Sequence, residues 1–210
     1  MQVTDHIMYH FHNNKSHNEL WVPDSEIIID DNFDAEFLKI LRFFSTAVNL
    51  TEGGRKSFDH IIDKYLEVKQ DEKMLIDMLK ESRRIIYEMN IFKRELALEE
   101  IRAEKHPELP SRKHSIWLCD ENGIDFWRTQ ISQKGEQQPK LFKVSVTGNL
   151  FKSSDSFIPD DDINFETSLA AAERYWNPNF ETKEQEKKAE YLFQGKLKVL
   201  EKIKNKTREN

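Results

Sequence analysis

Between Glu72 and Lys105 the chain carries an unbroken helical pattern, with apolar residues at Leu75, Met78, Leu79, Ile85, Ile86, Met89, Phe92, Leu96 and Ile101 and no proline before Pro107 and Pro110. Residues three and four apart share one face of a helix, and proline cannot continue a helix because its nitrogen has no proton to donate. The spacing therefore predicts one long helix, straight or kinked near Asn90. The charges along it, Lys93, Arg94, Glu95, Glu99, Glu100, Arg102 and Glu104, read most simply as a solvated face laced by ion pairs one turn apart.

The segments around this helix set the class. Asp5 to His12 is rich in aromatic and β-forming residues and predicts a short first strand before the polar turn Asn13 to Ser16. Phe37, Leu38, Leu41 and Phe44, then Phe58, Ile61, Ile62, Tyr65 and Leu66, predict two amphipathic helices around Gly53-Gly54. After the prolines, Lys113 to Cys119 reads as a short strand and Asp120 to Gly123 as its closing turn, with a brief helix at Phe126 and Trp127. Leu141 to Thr147 alternates as a strand, Gly148-Asn149 reads as a turn, and Leu150-Phe151 as the start of another strand. Asp160 to Asp162 falls in a loop. Ser168 to Trp176 reads as a helix capped by Thr167 or Ser168, and Ala189 to Ile203 as a late strand bent at Gly195, with a polar end after it. Strands and helices do not alternate regularly, so the pattern favours an α+β domain spanning 1–210, with a helical block at 34–105 inserted in it.

Composition excludes several functions. A net charge of −6 disfavours bulk electrostatic coating of nucleic acid, while a local basic patch at Arg112, Lys113, His114 and Arg128 remains compatible with it. The single cysteine, Cys119, excludes an internal disulfide and a multi-cysteine zinc site, and it fits a reducing compartment. With no apolar run of membrane-spanning length and no signal-type start, the expected location is cytoplasmic, with no membrane partner. The phosphate-binding, zinc-protease, hydrolase and calcium-loop signatures are all absent. His10 and His12 would share one strand face, but no cysteine or third ligand lies near them, so no metal is expected.

Three segments nevertheless stand in an informative order: Met8-Tyr9-His10, then Leu109-Pro110-Ser111-Arg112 leading into Ile116-Trp117-Leu118, then Glu190-Tyr191-Leu192-Phe193-Gln194-Gly195. Together they resemble the His-Tyr-Glu pattern of the ADP-ribosyltransferase superfamily. That resemblance implies a split antiparallel or mixed sheet and NAD as substrate rather than resident cofactor. Tyr9 and His10 would hold the adenosine-side ribose, Trp117 would stack on nicotinamide in place of the usual tyrosine, and Glu190 would be the catalytic carboxylate. Arg112 would take a phosphate and Ser111 the nicotinamide ribose or carboxamide. Cleaving the nicotinamide–ribose bond passes through an oxocarbenium-like state, which a carboxylate on the ribose 2′-hydroxyl stabilises by roughly 3 kcal/mol. The acceptor would be a protein, a nucleic acid or a small molecule, and small enzymes of this kind serve as toxins or phage-defence effectors, restrained by an antitoxin or a chaperone. Residues 95 to 200 also resemble a little-characterised bacterial family through the "LPSR…WL" segment, the Tyr175-Trp176 pair and the terminal "E-x-L-x-x-G".

Each of these residues has a plainer reading. Tyr9 and Trp117 suit a strand core, His10 a satisfied buried histidine, and Tyr175-Trp176 the packing of their helix, with a pocket wall as the lesser alternative. Arg112 suits a pair with Glu99 or Glu100, and Glu190 a solvated strand-edge charge. The plain alternative for the whole chain is a catalytically silent protein that binds a partner through the long helix.

Overall fold

The computed structural model describes residues 1–12, 20–33, 47–50, 54–67, 72–133, 139–158 and 164–203. The elements run β1 (Gln2–His12), β2 (Glu26–Ile29), β3 (Ala47–Leu50), β4 (Gly54–Ser57), α1 (Phe58–Glu67), α2 (Glu72–Lys105), β5 (Ile116–Leu118), α3 (Ile124–Gln133), β6 (Lys140–Ser154), α4 (Phe165–Trp176), α5 (Lys183–Lys187) and β7 (Ala189–Ile203). The amphipathic segment at Phe37 to Phe44, the turn at Asn13 to Ser16, the acidic run at Asp160 to Asp162 and the polar end lie outside the described residues.

The class is α+β. A five-stranded sheet runs β1-β6-β7-β2, with β5 also paired to β7, and every pairing is antiparallel. Beyond β5 a two-hydrogen-bond bridge joins Tyr9 and Cys119, each amide donating to the other carbonyl at 2.9 Å. The path β1-β6-β7-β5 therefore returns to β1, and the sheet curls round its own apolar side. That enclosed core holds Met8, Ile27, Ile116, Leu118, Phe142, Val144, Val146, Tyr191, Phe193 and Leu197. A strand alternates its side chains between two faces. The opposite face, with Phe151 and Leu192, meets Leu98 and Ile101 of α2 and Ala172, Tyr175 and Trp176 of α4.

The long helix forms over Glu72–Lys105 as the periodicity predicts, in one continuous run. Gly148-Asn149 is not a turn: β6 passes straight through it. Gly148 lies opposite Gly195 of β7, with φ of +152° and +141°, and a Cβ on either would stand 2.4 or 2.5 Å from a backbone oxygen of the facing strand. These glycines permit a close strand approach rather than a reversal. Asn164, not Thr167 or Ser168, caps α4, accepting from the Thr167 amide at 2.8 Å.

The charged face of α2 is also different from the solvated surface its composition suggests. Glu95 is 1% exposed and Glu99 6%. Both lie in the half of α2 that carries Ala97, Leu98 and Ile101 into the body of the fold, so helical phase, not residue type, decides their environment.

Candidate functional site

The helix-covered face of the sheet gathers an unusual set of polar groups around Arg112, which is 1% exposed. The segment after Pro110 lays the Arg112 backbone against α2, where its amide donates to Glu99 Oε1 at 2.9 Å. The guanidinium donates Nε to Glu95 Oε2 at 2.8 Å and Nη2 to Glu95 Oε1 at 3.3 Å. On its other side Nη1 donates to Glu190 Oε1 at 2.9 Å and to Tyr175 Oη at 2.5 Å. The Tyr175 hydroxyl in turn donates to Glu190 Oε1. One arginine thus ties α2, α4 and β7 together.

Electrostatics fixes the protonation of the two groups at its centre, Arg112 and Tyr175. Burial disfavours the Arg112 cation, but Glu95, Tyr175 and Glu190 outweigh that cost and hold it protonated well above the ordinary arginine value. Burial pushes the Tyr175 phenol far up, and Glu190 adds to that against the opposing Arg112 charge, so the phenol stays neutral and donates. The Arg112 guanidinium also lies 5.3 Å from the Trp117 ring centre and 4.9 Å from that of Tyr175, within cation–π range.

Of the residues singled out in the sequence, Arg112, Trp117 and Glu190 come together on this face, and Ser111 adjoins it, donating to Glu99 Oε2 at 2.8 Å. His10 does not join them. It stacks on Trp21 at 4.3 Å between ring centres, beside the enclosed core to which Trp21, Ile116 and Leu118 belong, whereas Trp117 packs on the opposite side of β5. Nδ1 of His10 meets the Trp117 carbonyl at 2.9 Å; because a carbonyl only accepts, Nδ1 carries the proton. Burial lowers the His10 pKa to about 4, with the carbonyl bond opposing and His12 assisting. Tyr9 contributes its backbone to the bridge with Cys119.

Cys119 is 2% exposed, and burial next to Asp120 pushes its thiol up to about 12, so it is no ready nucleophile. Among the described residues no group of three His, Cys, Asp or Glu side chains is placed to hold a metal ion. No described helix is long and apolar enough to cross a membrane.

A cleft of about 400 Å³ opens beside the Arg112 network. Its walls are the turn after β2, bearing Asp31, the segment with Ser111, Lys113 and His114, and Glu99 and Arg102 of α2, with Gln194 of β7 also lining it. Arg102 donates to Glu99 at 3.3 Å and to the Leu109 carbonyl at 3.3 Å. His114 Nδ1 meets the Phe33 carbonyl at 3.1 Å and so ties two walls together. Lys113 is half-buried, and no described carboxylate lies within ion-pair distance of it.

The residues sequence reasoning missed are Glu95, Tyr175 and Gln194. The signal for Glu95 was available in its phase: it sits three and six residues before the apolar Leu98 and Ile101, on the stripe that faces inward. Tyr175 and Gln194 carried no such local signal. A search of curated proteins finds no match to the chain. Residues 8–205 match the family described as protein of unknown function, DUF2441. Because that match runs through nearly the whole chain, sheet, long helix and Arg112 network included, the protein belongs to the DUF2441 family.

Proposed function

We propose that the chain is an ADP-ribosyltransferase-like enzyme that cleaves the nicotinamide–ribose bond of NAD, with Glu190 as the catalytic carboxylate. What carries the reading is the pairing of β5 with β7, Trp117 opposite Leu192, which sets an aromatic ring, the Arg112 guanidinium and the Glu190 carboxylate on one face of the sheet. An aromatic face for nicotinamide, a cation for phosphate and a carboxylate for the ribose 2′-hydroxyl are the groups that such chemistry uses. Tyr9 and His10, on the other strand, take no part in this arrangement and serve the sheet.

The reading has one structural requirement. Glu190 is 4% exposed and its Oε1 accepts from both Arg112 and Tyr175, so NAD reaches it only if the ligand exchanges for those contacts. A dinucleotide phosphate that draws Arg112 away would do so. Acceptor choice among protein, nucleic acid and small molecule belongs to the loops, as does any antitoxin or chaperone contact of a toxin or defence effector. The test is release of free nicotinamide from NAD by the purified chain, with Glu190→Gln beside it and a thermal melt to show that the variant folds. Release by the parent alone supports the assignment; turnover by the folded Glu190→Gln variant removes Glu190 from catalysis.

A second reading rests on a separate observation. Leu75, Leu79, Ile86, Met89 and Leu96 are 40, 61, 59, 55 and 39% exposed, at the alternating four- and three-residue spacing, with Ser82 and Lys93 between, of a helix that receives another helix. On this reading the chain is a catalytically silent interaction protein. No NAD binding at millimolar concentration, together with a partner complex lost in Leu79→Glu, would establish it over the first.

A further inference from the structure

The cleft beside the Arg112 network is built from three separate parts of the chain, and its groups are unevenly satisfied. The turn Asp30 to Phe33 is held by its own bonds, with the Asn32 amide on Asp30 Oδ1 at 2.9 Å and the Phe33 amide on the Asp30 carbonyl at 2.9 Å. These leave the Asp31 carboxylate at the mouth without an ion pair to any described side chain. Across the cleft Glu99 accepts from Ser111, Arg102 and the Arg112 amide. Its ion pair among the described residues is with Arg102, not with Lys113.

Two donors are thus left over on the inner side. The Lys113 ammonium has no described carboxylate partner, although it is half-buried. Gln194 lines the same cleft, and its Nε2 is buried with no acceptor among the described residues. A buried amide donor left unsatisfied costs free energy comparable to a lost hydrogen bond, so such a group marks a place for an acceptor from outside. A cation and an amide donor together suit an oxyanion. The His114 Nδ1 proton is committed to the Phe33 carbonyl, which leaves Nε2 as the ring's acceptor atom. With Asp31 this gives the cleft acceptors as well as donors, a demand that neighbouring hydroxyl groups meet.

We propose that this cleft binds a sugar phosphate, its phosphate on Lys113 and Gln194 and its vicinal hydroxyls on Asp31 and His114. The volume of about 400 Å³ lies within the range of small-molecule sites. The site stands apart from Glu190 and holds whether or not NAD is cleaved. The sugar phosphate comes either free or as part of a nucleotide, and both sources present the same groups.

The test is calorimetric titration of the full chain at fixed ionic strength with ribose 5-phosphate, AMP, inorganic phosphate and ribose. The expected result is binding of ribose 5-phosphate or AMP more tightly than of inorganic phosphate or ribose. Tighter AMP assigns the nucleotide source, and tighter ribose 5-phosphate the free sugar. Lys113→Gln should weaken the sugar phosphate at least about tenfold, the size of one charge-assisted hydrogen bond. Asp31→Asn should weaken it while leaving inorganic phosphate unchanged. Both positions lie at the cleft surface, so melting temperatures stay at the parent value and separate binding from folding. Equal affinity for inorganic phosphate and ribose 5-phosphate, unchanged binding in Lys113→Gln, or no binding of any of the four at millimolar concentration overturns the proposal. Sugar-phosphate binding without nicotinamide release from NAD removes the enzyme reading and leaves this one standing.

Discussion

Two ion networks on the same helix show how little residue type decides. In the first half of α2, Arg84 joins Glu81 and Glu88, each at 2.6 Å, with side chains 40, 22 and 33% exposed. In the second half, Glu95 joins Arg112 and through it Glu190, with side chains 1, 1 and 5% exposed. Both sets centre two glutamates on one arginine, and in the second Glu95 also meets Arg94 at 3.5 Å. The first is built from residues one turn apart, so it forms with the helix and is worth little beyond it. The second is assembled from α2, the segment before β5 and β7, and it sits out of water. There each partner depends on the others, because a charge left alone in that environment is costly.

Breaking the inner network should have the largest effect. Arg112→Met takes the shared cation from two buried carboxylates, leaving Glu95 with Arg94 and Glu190 with the Tyr175 hydroxyl, and equilibrium denaturation should show a loss of about 3–5 kcal/mol; a loss below about 1 kcal/mol would mean that those partners or water compensate for the lost cation. Next comes His10, whose pKa in the fold is about 4 against an ordinary 6.5. The unfolded chain then binds the extra proton first, so the stabilising contribution is complete above about pH 6.5 and is lost as pH falls toward 4. The difference is of order 3 kcal/mol. His10→Gln should flatten that part of the stability–pH curve, whereas an unaltered slope would assign it to other groups. Gly195→Ala should cost about 2 kcal/mol or more, since φ is +141° and a Cβ would stand 2.5 Å from the Thr147 carbonyl oxygen.

Smaller changes sharpen the contrast. Tyr175→Phe removes the hydroxyl shared by Arg112 and Glu190 and should cost about 1–2 kcal/mol in the same denaturation experiment. Arg84→Ala should cost under about 1 kcal/mol, and the loss should shrink further in high salt, because its partners are half in water. If Arg84→Ala matched Arg112→Met, the distinction between inner and outer networks would collapse.

The long helix shows where local reading succeeds. Its boundaries follow from apolar spacing and from the prolines beyond Lys105, both properties of neighbouring residues. The closing strand and its irregular Gly195 are legible for the same reason. The pair Gly148-Asn149 was misread because a glycine in a turn and a glycine at a close strand crossing look alike until the facing strand is known. Glu95 and Glu99 were misread because their charge was weighed above their phase. In the candidate site, Ser111, Arg112, Trp117 and Glu190 were visible as a segment and a strand end, but Tyr175 and Gln194 were not, since their roles depend on partners remote in sequence.

What the sequence determined by itself was therefore the set of elements: the α+β class, the helix at Glu72–Lys105 and the strand at Ala189–Ile203, all consequences of short-range periodicity. Tertiary structure alone decided which faces those elements turn inward. The Tyr9–Cys119 bridge curls the sheet and sends His10 to one side of it, while the packing of α2 and α4 on the other side brings Glu95, Arg112, Tyr175 and Glu190 into contact. The reason is physical: backbone periodicity is set within a few residues, whereas burial and charge pairing are set by whatever part of the chain arrives opposite.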